Sequence, residues 1–163
     1  MAGEFSFDVV SQYDRQEMVN AVDQTKRELA TRYDFKGAKA SIELEKESIE
    51  LAGESEFRLK SIQDVLETKA IRRGLSLKVF DYGKPEPAAG GTFRQHVALR
   101  SGINDELARK ITKLIRDDVP KVRVQVQGDA VRVFSKNKDE LQNAIQLLKQ
   151  QDYPLPLDFT NYR

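Results

Sequence analysis

Guanidinium groups pair bidentately with phosphates, and carboxamides read the edges of bases. One stretch of this chain concentrates both. Residues 121–136 read Lys-Val-Arg-Val-Gln-Val-Gln-Gly-Asp-Ala-Val-Arg-Val-Phe-Ser-Lys. Val122, Val124 and Val126 alternate with Arg123, Gln125 and Gln127, and Val131 and Val133 alternate with Arg132 and Phe134. A period of two puts alternate side chains on opposite faces of a strand. Gly128-Asp129 fits a two-residue turn of the primed type, with glycine supplying the positive φ. The spacing therefore predicts a hairpin with five valines on one face. The other face carries Arg123, Gln125, Gln127, Arg132 and the Phe134 ring, with Lys136 close by. An aliphatic face needs helices to cover it. The polar face, left open, suits a planar anion such as a nucleotide; ordinary solvated strand residues are the alternative.

A second stretch, Arg32-Tyr-Asp-Phe-Lys-Gly37, is dense in charge and aromatic groups at a helix exit. Arg32 and Lys36 are its candidate phosphate contacts, with Tyr33 beside them. A loop plug with Phe35 in the core is the competing reading. The remaining candidates have structural explanations. His96 is the only histidine and shares a strand face with Arg94 and Arg100, which disfavours a metal cation. Arg72 and Arg73 suit the negative end of a helix dipole. Arg109, Lys113 and Arg116 form a helix stripe that Asp105 and Asp117 partly neutralise. Glu43 and Glu45 point to solvent from a strand. Neither G-x-G-x-x-G nor G-x-x-x-x-G-K-[ST] is present. No catalytic residue, metal ligand set or cofactor is expected, and the chain does not read as an enzyme.

The 163 residues suffice for one ordinary domain or two small ones. With 33% charged residues and a net charge of +1, the molecule is no general polyanion binder. Residues 1–83 hold 13 Lys/Arg against 16 Asp/Glu, while residues 84–163 hold 14 against 10. An anion preference is therefore expected in the second half. There is no cysteine, which removes disulfides and thiolate chemistry. Met-Ala-Gly-Glu-Phe lacks the features of a signal peptide, and no apolar run approaches the ~20 residues of a membrane span. A cytoplasmic protein without membrane contact is expected.

Periodicity predicts strands over residues 4–10, 38–45, 48–53 and 75–82, with helices over about 14–33 and 55–73. Gly83–Gly91, with two prolines and three glycines, reads as a linker without regular structure. The order then repeats: a strand at 92–100, a helix opened by Asn104, the central hairpin, and a helix capped by Asn137 and Glu140. A short strand through Leu155, Leu157 and Phe159 closes the chain. Strand-helix-strand-strand-helix-strand, twice, is the ferredoxin-like α+β pattern: an antiparallel sheet with two helices on one face. RNA-recognition modules share it and bind on the open sheet face.

Several stretches together resemble the bacterial YajQ family. They are Ser6-Phe-Asp-Val-Val-Ser11, Arg32-Tyr-Asp-Phe-Lys-Gly37, Ile71-Arg-Arg-Gly74, Gln127-Gly-Asp-Ala-Val-Arg-Val133, Asp139-Glu-Leu-Gln142 and Pro156-Leu-Asp-Phe-Thr-Asn-Tyr-Arg163. The chain departs from that pattern at Phe134-Ser135, where a small hydroxyl residue and then glycine are expected. The resemblance implies a small cytoplasmic bacterial protein with two ferredoxin-like domains that exchange their first strands. It also implies nucleotide binding, with RNA and cyclic di-GMP as proposed ligands, and no enzymatic activity.

Charge supports the exchange independently. In chain order, Asp8 would share a polar sheet face with Glu43, Glu45 and Glu50, and Arg94, His96 and Arg100 would share one with Arg123 and Arg132. Exchange places Arg94 and Arg100 beside the glutamates and Asp8 beside Arg132. Each favourable cross-strand pair contributes only roughly 0.2–1 kcal/mol, but the sign agrees in both sheets. The expected domains are residues 11–100, and 1–10 with 101–163, the 83–91 linker lying within the first. The expected function is non-enzymatic binding of cyclic di-GMP or RNA at a basic, polar sheet face or interdomain groove. The alternative is an adaptor whose open sheet faces bind a protein partner. No oligomeric state is assigned.

Overall fold

Two sheets organise the chain, and each takes its first strand from the other half of the sequence. The structure is a computed structural model and describes residues 3–32, 37 and 39–163. The strands are β1 (Phe5–Val10), β2 (Ala40–Leu44), β3 (Ser48–Gly53), β4 (Phe80–Tyr82), β5 (Glu86–Ala88), β6 (Thr92–Leu99), β7 (Arg123–Gln127), β8 (Ala130–Ser135) and β9 (Asp158–Thr160). The helices are α1 (Arg15–Thr31), α2 (Glu56–Arg72), α3 (Asp105–Asp118) and α4 (Lys138–Lys149). One sheet has the order β7-β8-β1-β9 and the other β2-β3-β6-β4, all neighbours antiparallel. This is the two-layer ferredoxin-like fold with first strands exchanged. β1 sits between β8 and β9, and β6 sits between β3 and β4.

The chain accordingly divides into two compact units, Met1–Gln12 with Ser101–Arg163, and Tyr13–Arg100. The division removes the charge asymmetry of the linear halves. The first unit holds eleven basic and eleven acidic residues, and the second holds sixteen and fifteen. An anion preference does not follow from bulk charge in either unit.

Helix ends follow the local chemistry. The Asp14, Ser55 and Asn104 side chains accept from the backbone N–H three residues on, which satisfies donors the helix leaves unpaired. Asn137 accepts instead from Asp139, two residues on. The apolar stripes face inward as their spacing predicts: Met18, Val22 and Leu29 of α1, Leu59, Ile62 and Leu66 of α2. In the first unit, Ile111 and Ile115 of α3 and Ala144, Ile145 and Leu148 of α4 close over Phe7, Val9, Val131 and Val133.

Three expectations need correction. Residues 75–82 are not one strand: Leu77–Val79 form a 3-10 turn, and only Phe80–Tyr82 pair with β6. Residues 83–91 are not free of regular structure. Glu86–Ala88 pair with Thr92–Arg94 as a short hairpin at the sheet edge, where proline's missing N–H is tolerated. Arg100 does not join the glutamates. β6 ends at Leu99, the Arg100 N–H bonds to the Val79 carbonyl, and its guanidinium pairs with Asp81 at 3.3 Å. It is His96 that lies opposite Glu50 and bonds to it.

The valine face is also uneven. Val131 and Val133 are fully buried, whereas Val126, at the hairpin tip, is 47% exposed. Phe7→Ala should cost roughly 3–5 kcal/mol, whereas Val126→Ala should stay within about 0.5 kcal/mol. Denaturant titration measures both. Hydrogen exchange should show the Phe7→Ala loss of protection in residues 101–163, although residue 7 is remote in sequence.

Candidate nucleotide interface

The exchanged strand builds the polar sheet face of the first unit. The β7–β8 turn has Gly128 at φ +61°, and the hairpin pairs Arg123 with Phe134 and Gln125 with Arg132. β1 continues both rows, setting Ser6 opposite Phe134 and Asp8 opposite Arg132. Arg123, Gln125, Gln127, Arg132 and Phe134 thus share the face away from α3 and α4. Arg123 and Gln125 are exposed, and Gln127 is half-buried. Lys136 is exposed one residue beyond the end of β8.

Both arginines are engaged. Arg132 grips Asp8 bidentately, Nε to Oδ1 at 2.7 Å and Nη2 to Oδ2 at 3.3 Å. Asn161, at φ +54°, donates a further bond to Asp8 Oδ2 at 2.8 Å. Asp8 is buried, and the hydrogen bond from Arg132 above all, with that from Asn161, holds its carboxyl below the usual range against the opposing effect of burial. The same bond raises the pKa of Arg132, which stays charged. Arg123 pairs with Glu4 at 2.9 Å, and its guanidinium lies 4.4 Å over the Phe134 ring. Gln127 donates to Gln125 Oε1 at 3.3 Å.

This changes what the face can do. Two arginines already held by carboxylates of the N-terminal segment are poor phosphate clamps. A guanidinium plane on an aromatic ring, flanked by the exposed Gln125 carboxamide, is instead a stacking surface with a hydrogen-bonding group at its edge.

The full-length comparison is unambiguous. Residues 5–163 match the family model described as nucleotide-binding protein YajQ-like. The chain belongs to this family. Relatives span the whole chain and are covered by it in full. They include proteins named nucleotide-binding protein from Chloroflexus aggregans at 56% identity, Thermosynechococcus vestitus at 55% and Trichormus variabilis at 53%.

Of the second candidate stretch in this YajQ-like chain, Arg32 and Gly37 are among the described residues. Arg32 follows α1 and bonds to Glu28 at 3.2 Å, one helical turn back. Tyr33, Phe35 and Lys36 lie outside the described residues. Among the described residues no group of three or more acidic or histidine side chains is placed to hold a metal ion, and no helix is long and apolar enough to cross a membrane. Sequence reasoning missed Glu4 as the partner of Arg123. It also missed the convergence of Arg27 and Lys69 with Arg72 and Arg73 around one cavity.

The Asp8 geometry sets a pH dependence. Its carboxyl titrates lower in the folded chain than in the unfolded one, so its stabilisation is present at neutral pH and is lost as pH falls through the lowered folded value. Asp8→Asn should remove that part of the acid-side slope. Denaturant midpoints measured from neutral to acid pH in parent and variant give the difference. Arg132→Ala should lower the thermal midpoint, since it leaves a buried carboxylate without its cation.

Proposed function

We propose that this chain binds a nucleotide without transforming it, with RNA or cyclic di-GMP as ligand, on the open sheet face of its first unit. The observation that carries this reading is the Arg123 guanidinium stacked over Phe134 beside the exposed Gln125. Bases stack on aromatic rings and guanidinium planes, and an amide supplies a donor and an acceptor to a base edge. The names of the relatives agree with a nucleotide ligand. Asp8 and Glu4 neutralise the arginines, so the face favours the base over the phosphate. Lys136, with no ion pair among the described residues, is the nearby cation for a phosphate.

Calorimetry against guanosine monophosphate, cyclic di-GMP and short single-stranded RNA, at two salt concentrations, tests this. Phe134→Ala should weaken binding by about 1–3 kcal/mol, the usual worth of one stacked base. Gln125→Ala should change the preference among bases while leaving the salt slope unchanged, because an amide neutralises nothing. Lys136→Ala should reduce the slope by about one phosphate's worth. Equal affinities for the parent and Phe134→Ala across all ligands would refute the stacking site and favour a protein partner on this face.

A further inference from the structure

In the second unit, Arg27 of α1 and Lys69, Arg72 and Arg73 at the end of α2 converge on a cavity of about 600 Å³ that Gln24 and Glu28 also line. Basic residues are common near helix C-termini, where they offset the dipole and bind terminal carbonyls. Here the backbone already closes the end of α2. Gly74, at φ +77°, donates to the Ile71 carbonyl at 3.0 Å, and Leu75 donates to that of Ala70 at 3.0 Å, the Schellman arrangement. At the end of α1, the Arg32 N–H bonds to the Glu28 carbonyl at 2.7 Å and the Thr31 hydroxyl to that of Arg27 at 3.0 Å.

The charges do not cancel. Each helix end contributes about half a negative charge. Glu28 contributes one, and it is already shared between Lys69 at 2.9 Å and Arg32 at 3.2 Å. These two cations hold its carboxyl below the usual range, Lys69 most of all. Arg73 reaches Glu17 only at 3.9 Å. Arg27 and Arg72 have no ion-pair partner among the described residues, and both are exposed. Lys69 is the reverse: its side chain is 15% exposed and pinned by Glu28, so the cleft combines one largely buried, paired cation with two exposed ones.

We propose that this cleft is a binding site for consecutive phosphate groups, a triphosphate chain, with Arg27 and Arg72 closing on it and Lys69 beneath. Cations drawn from two facing helices concentrate charge at one place. A strand of phosphodiesters instead calls for an extended basic track. The triphosphate chain belongs either to a free nucleoside triphosphate or to the 5′ end of an RNA. All four cations lie in residues 13–100, and none belongs to the sheet face of the first unit.

Inorganic tripolyphosphate, titrated calorimetrically into the full chain at two salt concentrations, is the test. It carries no base, so it reads the cleft whatever becomes of the stacking reading. Binding should weaken with salt, and R27A/R72A should weaken it about tenfold or more with an unchanged thermal midpoint. No binding by the parent at millimolar concentration, or equal binding by parent and double variant, overturns the site. Guanosine triphosphate and a short RNA with a 5′-triphosphate distinguish the two sources of the same group. If RNA with a 5′-hydroxyl loses as much affinity in R27A/R72A as the 5′-triphosphate form, the cleft takes backbone phosphodiesters and the triphosphate assignment is wrong.

Discussion

The bidentate pair between Asp8 and Arg132 is the interaction on which the first sheet depends. It joins residues 124 positions apart and lies on a central strand pair, with Asp8 buried. A buried carboxylate is tolerated only when its oxygens are satisfied, and here Arg132 and Asn161 satisfy them. The pair need not add much net stability to be decisive. It penalises any other strand in that place, because each alternative leaves an unpaired charge inside the sheet. Phe7 and Val9, on the same strand but facing the helices, supply the apolar energy that the pair directs.

The exchange changes the polar sheet face of the first unit. Arg123 and Arg132 read as phosphate contacts when the hairpin is taken alone. Once β1 is docked, Glu4 and Asp8 stand beside them, and the face becomes a neutral stacking surface with carboxamides at its edge. The same exchange levels the charge of the two units, so local clusters matter more than halves of the sequence. The cleft between α1 and α2 is such a cluster. Its cations outnumber its carboxylates although the unit carrying it is nearly neutral.

Local sequence decided the helices, their caps and the hairpin. Asp14, Ser55 and Asn104 each accept a backbone bond from three residues on, and the apolar stripes at three- and four-residue spacing are buried, because both effects act within a turn or two of chain. The alternation in 122–134 gave the two faces correctly, and the opposed charges of Asp8 and Arg132 made the strand exchange legible. Weaker local signals were overridden. The proline- and glycine-rich 83–91 segment gained a short strand only because an open sheet edge lay beside it.

Tertiary structure alone decided which cations are already paired. Glu4 meets Arg123 across 119 residues, and no spacing rule connects them. Arg27 and Arg72 come together because α1 and α2 pack side by side, and Arg72 alone looked like an ordinary helix-end arginine. Strand and helix formation depend on periodicity within about ten residues, which a sequence displays directly. Electrostatic environment depends on every group within a few ångströms, whatever its position in the chain, and only the folded arrangement supplies that.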